Sequence, residues 1–215
     1  MNKMVWLRLI WLAIFVVSML AAPLSVTHHV NAVVSAALRP YGVHWPPLQL
    51  IWVLGGVPLT FLLVLLMAWS RAHRKNPWSG VVVGYIVGTI VEVLVKHWIA
   101  TPTPPNVMPP PVYQSLITAT NIEPQQVMHW FAVVMGPSSL ATGPSHLLNG
   151  TFPSGHLFRL SYVMIVAVRG IKQKWLVAAG GLIAAFAVVA TGGHWVWDAV
   201  GGYALAQLTA IWLVP

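Results

Sequence analysis

The stretch VVVGYIVGTIVEVLVKHWI, residues 81–99, decides the fold class of this 215-residue chain. It is apolar almost throughout, and about 20 such residues are enough for a helix to cross the hydrocarbon core of a membrane. In the whole chain, 58% of the residues are hydrophobic and only 7% are charged. An ordinary soluble domain carries about a quarter charged residues. The composition therefore predicts an integral membrane protein.

Five more apolar stretches accompany this one. They lie at residues 4–22, 48–69, 157–168, 175–191 and 195–214. The stretch at 157–168 is short, and it reaches spanning length only if residues 153–159 also lie within the membrane boundary. We expect an all-α, polytopic membrane helix bundle with six transmembrane helices. It forms one domain over residues 1–215, with a long extracytoplasmic loop between the third and fourth helices.

Basic residues collect at three places that six spans would put on one side of the membrane. They are Lys3 and Arg8, then Arg71, Arg74 and Lys75, then Arg169, Lys172 and Lys174. Because loops rich in lysine and arginine stay in the cytoplasm, both termini are expected there. Anionic headgroups account for the net charge of +8, so no nucleic-acid partner is expected. We expect a multi-pass protein of a prokaryotic cell membrane.

The first apolar stretch also has features of a secretory signal, since Lys3 and Arg8 precede a run that ends in MLAAP. The apolar part of a signal is about 7–15 residues long. This run is longer and ends at Pro23, so we expect a retained helix.

Two segments are not expected to span. Residues 27–47 are predicted to form a short amphipathic segment at the outer surface, ended by Pro46 and Pro47. Residues 101–152 open with TPTPPNVMPPP, whose prolines exclude a regular helix. They continue with QQVMHWFAVVM, a candidate interfacial or re-entrant helix. Loops of this length are usually functional or disordered.

Charged side chains within apolar stretches are costly and mark a functional site by default. Glu92 and Lys96 are four residues apart on one helical face. TFPSGHLFR, residues 151–159, opens the fourth stretch, and His194 and Asp198 lie four apart at the start of the sixth. The predicted topology brings these three segments to one extracytoplasmic face. Polar residues that only cap separate helices would not need to lie on the same side of the membrane.

The first group of these residues favours an anion such as phosphate. Lys96 and Arg159 supply positive charge. Ser154 and Gly155 lie where a helix is expected to begin, and backbone N–H groups at a helix N-terminus bind anions well. Glycine also allows a close approach of the backbone.

The second group can act on a bound phosphate. His156 and His194 can divide the roles of general acid and nucleophile. Asp198 can hydrogen-bond one imidazole nitrogen and leave the other available for attack. This chemistry requires neither a cofactor nor a metal. A metal site made of the same three side chains is an alternative.

Each feature also has a simpler structural explanation. PSGH is compatible with a plain helix start that has serine as its N-cap, and HWVWD with an interfacial aromatic belt. Glu92 and Lys96 are compatible with a structural ion pair. Arg159 is compatible with an arginine that extends its charge to the membrane interface.

The motifs resemble those of the type 2 phosphatidic acid phosphatase family of membrane lipid phosphatases, which is related to soluble acid phosphatases and vanadium haloperoxidases. That family has three motifs: Lys-x6-Arg-Pro, Pro-Ser-Gly-His and Ser-Arg-x5-His-x3-Asp. The second is intact at residues 153–156, and the end of the third is intact as His194 and Asp198. The resemblance runs from about Glu92 to the C-terminus.

Both arginines of the family motifs are replaced. Thr103 stands at the arginine position of the first motif, and Ala187 and Val188 stand at the Ser-Arg positions of the third. In the family these arginines neutralise phosphate oxygens, and loss of one such donor commonly costs about two to three orders of magnitude in rate. Arg159 is expected to replace part of this function.

The resemblance implies a lipid phosphatase or pyrophosphatase whose site faces outside the cytoplasm. His194 would attack phosphorus to give a phosphohistidine, Asp198 would orient it, and His156 would protonate the leaving lipid oxygen. The residues expected to bind the phosphoryl group are Lys96, Ser154, Gly155, Arg159 and Thr103. Candidate substrates are polyprenyl diphosphate, phosphatidylglycerol phosphate and phosphatidic acid. Two alternatives are a transferase of phosphoryl or headgroup units between lipids and a non-enzymatic lipid-phosphate binder or transporter.

Overall fold

The computed structural model describes residues 3–74, 77–99, 101, 104, 150–168 and 175–214. Within these ranges the regular structure is entirely helical, so the all-α prediction is confirmed there. The helices are α1 (Lys3–Ala21), α2 (Ser25–His44), α3 (Pro46–Leu54), α4 (Val57–His73), α5 (Ser79–Trp98), α6 (Gly155–Ala167), α7 (Trp175–Ala190) and α8 (Val196–Leu213). The basic residues Lys75 and 169–174, and most of the expected long loop, lie outside the described residues.

Helix α8 packs against α1, α5 and α6, and small residues on its surface allow the close approach. A Cβ atom at Gly201 would overlap the ring of Phe152, and one at Gly202 would overlap the backbone carbonyl of Ser154. Small residues at helix contacts are typical of packing in lipid, where van der Waals contact drives association. The start of α6 is therefore held directly against the first half of α8.

Helices α1 and α8 run antiparallel. Arg8, near the start of α1, donates a hydrogen bond of 3.5 Å to the carbonyl of Ile211 near the end of α8. Its guanidinium also lies 4.8 Å from the ring centroid of Trp212. Further along α1, Phe15 contacts Phe152 at the opposite end of the bundle.

Two of the described helices, Lys3–Ala21 and Ser79–Trp98, are long and apolar enough to cross a membrane. The pair α3 and α4 adds a third if it forms one bent span, whereas α6 and α7 are apolar but shorter. Large apolar side chains such as Trp6, Leu66 and Ile90 are exposed on the outer surface, as expected for a surface that contacts lipid. Among the described residues, two to three of the six predicted stretches therefore form helices that are long and apolar enough to cross a membrane.

The second apolar stretch is not one straight helix. Helix α3 ends at Leu54, α4 begins at Val57, and the two are bent by 65°. Gly56 is the N-cap of α4 in an extended conformation. Pro58 follows, and it has no N–H with which to continue a helical hydrogen-bond ladder. The transmembrane helix expected over residues 48–69 is therefore divided into two helices, which count as one span only if the bent pair crosses the membrane together.

The segment expected to be a short amphipathic piece is a full helix. Helix α2 covers Ser25–His44 and accommodates Pro40 within it. It packs along α7: Val34 and Leu38 contact the apolar cluster that includes Val188, and Gly42 lies against the carbonyl of Ala190. These contacts with α7 stabilise a helix whose own sequence is only weakly apolar.

Candidate active site

The end of α5 and the beginnings of α6 and α8 meet at one end of the bundle. The side chain of Ser154 is the N-cap of α6, since its Oγ accepts the N–H of Leu157 at 3.3 Å. The backbone N–H of Ser154 donates to the carbonyl of Asp198 at 2.8 Å. The Pro-Ser-Gly-His segment is thus attached to the first turn of α8, which carries Asp198 and directly follows the bend with His194, and the structure brings the three segments together.

Three charged side chains form one buried cluster, called here the charge cluster: Glu92, Lys96 and Arg159. Lys96 Nζ lies 2.7 Å from Glu92 Oε1, and Arg159 Nη1 lies 2.7 Å from Glu92 Oε2. One carboxylate therefore binds two cations, one from its own helix and one from α6. All three side chains are largely shielded from solvent.

Arg159 does not extend to the membrane interface. It is 6% exposed, and its guanidinium points inward to Glu92 and, through Nε, to the carbonyl of Gly55 at 3.1 Å. The interfacial alternative for this residue is therefore wrong. The ion-pair alternative for Glu92 and Lys96 holds in part, because the pair is formed but Arg159 shares it.

Gly155 lies against the same cluster. A Cβ atom there would overlap the carboxylate of Glu92, so a larger residue would displace this carboxylate from the start of α6. We expected the backbone at Gly155 to lie close to a bound phosphate. In the structure, the group that lies close to it is the Glu92 carboxylate.

The two histidines are neighbours. Their ring centroids are 5.9 Å apart, and His156 stacks on Trp52 of α3 with a centroid distance of 4.2 Å and an interplanar angle of 21°. Trp52 therefore fixes the plane of the His156 ring. No local sequence pattern indicates this contact, because Trp52 is far from the motifs along the chain.

The orientation of His194 differs from the expectation. Its Nδ1 is 3.1 Å from the carbonyl oxygen of Thr151, which can only accept, so Nδ1 carries the proton and Nε2 keeps its lone pair. Asp198 Oδ2 is 3.7 Å from Nδ1, beyond hydrogen-bond distance. It accepts instead the backbone N–H of Trp195 at 2.9 Å. The expected Asp198–His194 hydrogen bond is thus replaced by one to Thr151.

Thr101 holds the Thr151 carbonyl in place. Its Oγ1 accepts the backbone N–H of Phe152 at 3.0 Å and lies 2.9 Å from Thr151 Oγ1. The backbone N–H of Thr151 also donates a hydrogen bond to Thr101 Oγ1, at 3.1 Å. Sequence reasoning missed this group because its key acceptor is a main-chain atom.

The replaced motif positions do not add a cation within the described part of the chain. Val188 is buried in an apolar cluster with Leu157, Ala184 and Ala199. Thr103 lies outside the described residues. The cations that the structure places near the histidines are those of the charge cluster.

The alternative metal site is not formed by the described residues. Among them, no three histidine, aspartate or glutamate side chains are arranged to hold a metal ion. His156 turns its ring to Trp52, and Asp198 turns one oxygen to the backbone of its own helix.

Comparison with models of known protein families, with curated proteins and with solved structures gave no match to this chain.

Proposed function

We propose that this protein is a membrane phosphatase that removes a phosphoryl group from a lipid phosphate or diphosphate through a phosphohistidine. The observation that carries the proposal is the charge cluster. A buried arginine and a partly buried lysine hold an anionic group against the first turn of α6, next to a pair of histidines. The chain thus contains an anion-binding position and a nucleophile in one place.

In the first step, the Nε2 lone pair of His194 attacks phosphorus. The bond from phosphorus to the bridging lipid oxygen breaks, and the bridging oxygen takes the proton of His156 and leaves as an alcohol or a lower phosphate. The Nδ1–H of His194 remains bonded to the Thr151 carbonyl, which keeps Nε2 directed to the substrate. Asp198, 3.7 Å from Nδ1, stabilises the positive charge that the ring gains.

In the second step, His156 accepts a proton from water, and the water oxygen attacks the phosphohistidine. The bond from phosphorus to Nε2 of His194 breaks and returns its electron pair to Nε2, inorganic phosphate leaves, and both histidines return to their starting state. Lys96 and Arg159 stabilise the charge on the phosphoryl oxygens in both steps, as preorganised donors do in a site shielded from water.

A lipid substrate is supported by the surroundings of the site. An apolar cavity of about 760 Å³ lies between α1, α2, α7 and α8, and its wall includes Leu157 and Ala199. These residues directly follow His156 and Asp198 in the chain. We propose that a hydrocarbon chain occupies this cavity and that its phosphate extends to the histidines, on the side of the membrane that the basic loops predict to be extracytoplasmic.

The proposal is tested by phosphate release from a panel of lipid phosphates in detergent: polyprenyl diphosphate, phosphatidylglycerol phosphate and phosphatidic acid. We expect release from at least one of them, no release by His194→Ala, and a labelled phosphoenzyme that accumulates in His156→Ala when the leaving group is already good. Lipid-phosphate binding without release by the wild-type protein would instead indicate a binder or transporter. Product formed only with an added lipid alcohol would indicate a transferase.

A further inference from the structure

Glu92 is the one member of the charge cluster that the proposed reaction does not use. Its carboxylate is buried, and it occupies donors of both Lys96 and Arg159 at 2.7 Å. A buried carboxylate requires partners of this kind. The same two cations are the ones proposed to bind the phosphoryl group, so an anion of the chain already holds them.

The carboxylate also occupies the place where phosphate is favoured. A Cβ at Gly155 would overlap Glu92, so the carboxylate lies at the N-terminal turn of α6, where backbone dipoles favour negative charge. Gly155 directly precedes His156, whose ring centroid lies 5.9 Å from that of His194. A phosphoryl group that His194 can attack would therefore compete with the Glu92 carboxylate for the same space and the same hydrogen-bond donors.

We propose that Glu92 is a specificity-determining residue that fills the anion position until a doubly charged phosphoryl group displaces it. This inference rests on the proposed function. A phosphodiester carries one negative charge, as the Glu92 carboxylate does. Replacing the carboxylate by a phosphodiester therefore gains little electrostatic free energy with Lys96 and Arg159. The terminal phosphate of a monoester or diphosphate carries about −1.5 to −2 charges at pH 7 and interacts more strongly with both cations. The substrate class is thus a terminal phosphate, and the diester phospholipids of the membrane are kept out.

The test compares the purified full chain in detergent, as wild type and as Glu92→Gln. The probes are inorganic phosphate, which is mostly doubly charged near pH 7.5, and dimethyl phosphate, which is singly charged, at an ionic strength held constant with chloride. We expect Glu92→Gln to bind inorganic phosphate about tenfold tighter or more, since it removes one competing charge from a buried site. We also expect the preference for inorganic over dimethyl phosphate to shrink.

A second measurement separates this role from a merely structural one. Without phosphate, Glu92→Gln should unfold at a lower temperature, because Lys96 and Arg159 lose their counter-ion. Added phosphate should restore most of that loss, because it supplies the negative charge that the glutamine lacks and stabilises the folded state by binding. Thr60→Val is the matched control. It removes a buried hydroxyl that is bonded to Tyr85 and to the carbonyl of Gly56 rather than to a charged group of the cluster, so phosphate should not restore its stability.

Glu92→Asp keeps the charge but shortens the side chain by one carbon, so its carboxylate holds Arg159 less well and phosphate should again bind more tightly. Phosphate affinity that is unchanged or lower in both variants would overturn the role of Glu92 and leave the proposed function standing. A Glu92→Gln protein that phosphate does not stabilise would also overturn it. If neither the wild type nor the variants bind phosphate, the proposed function falls as well.

Discussion

Arg159 connects three elements through one side chain. Its guanidinium donates to Glu92 on α5 and to the carbonyl of Gly55 between α3 and α4, while its backbone belongs to α6. Removing one partner of a buried ion pair typically costs about 3–5 kcal/mol, because the other charge stays buried. The residue therefore supports both the fold and the anion position.

Arg159→Ala is expected to lower kcat/KM by about two orders of magnitude if the side chain replaces one transition-state donor. It should also lower the unfolding temperature. Arg159→Lys keeps the charge but loses the planar fork, so its activity and its unfolding temperature should lie between those of alanine and wild type. Both are measured in detergent, with activity normalised to folded protein. Arg74→Ala, at the exposed end of α4, is the control and should change neither. Normal turnover by folded Arg159→Ala would remove this residue from the site.

At this scale, the side chains of the site were predictable and their pairing was not. Polar groups are rare in the apolar stretches of this chain, so the sequence identifies four of them as site candidates: Lys96, His156, Arg159 and His194. The link from Glu92 to Arg159 spans 67 positions, and no local spacing encodes it. One signal was available: the chain has only 3 acidic residues, so an acid within an apolar stretch must serve any cation buried nearby.

At the scale of the helices, glycine determines how closely α5 packs. A Cβ at Gly88 would overlap the ring of Phe158 on α6 and lie 3.1 Å from Thr209 Cγ2 on α8. The same surface of α5 carries Gly84, which faces the hydroxyl of Tyr162. Tyr162 in turn donates to the carbonyl of Val81 at 2.7 Å. These contacts set the distance between Glu92 and α6.

Gly88→Leu should therefore destabilise the protein by about 1–3 kcal/mol, the usual cost of overpacking a tight contact. The measurement is the midpoint of thermal unfolding in detergent. Val87→Leu is the matched control, since Val87 is adjacent in sequence but 38% exposed, and it should have little effect. Equal stability of the two variants would show that α5 does not pack against α6 as described.

The apolar runs in the sequence predict well where the helices lie. They predict poorly where a helix is interrupted. The last run, at residues 195–214, matches Val196–Leu213 almost to the residue. The break between Leu54 and Val57 was missed because hydropathy averages over a window in which two glycines weigh little. Helix α2 was underestimated for the opposite reason: contacts with α7 stabilise it, and no property of its own sequence reports them.

At the scale of the whole molecule, α5 links the basic end of the bundle to the candidate active site. It starts a few residues after the end of α4, where Arg71 and Arg74 lie, and it ends just beyond Lys96. If the basic end faces the cytoplasm, as the distribution of lysine and arginine predicts, the site faces the other side.

Single cysteines test this sidedness directly, because the chain contains no cysteine of its own. Trp98→Cys replaces an exposed residue at the end of α5, next to the site, and should react with an impermeant maleimide in intact cells. His73→Cys, exposed at the end of α4, should react only after permeabilisation. The reverse pattern would place the site in the cytoplasm, and labelling of both in intact cells would show that α5 does not cross the membrane.

Gly55 restricts which related sequences can carry this site, although it has no side chain to offer. Its carbonyl satisfies Arg159, and a Cβ there would come within 2.8 Å of the carbonyl oxygen of His156. Any other residue at position 55 must push the histidine-bearing helix outward. Loss of Arg159 would leave the Gly55 oxygen without that donor in a setting where water is scarce. We therefore expect glycine at position 55 and arginine at position 159 to occur together in related sequences, and a substitution at one position to be accompanied by a substitution at the other.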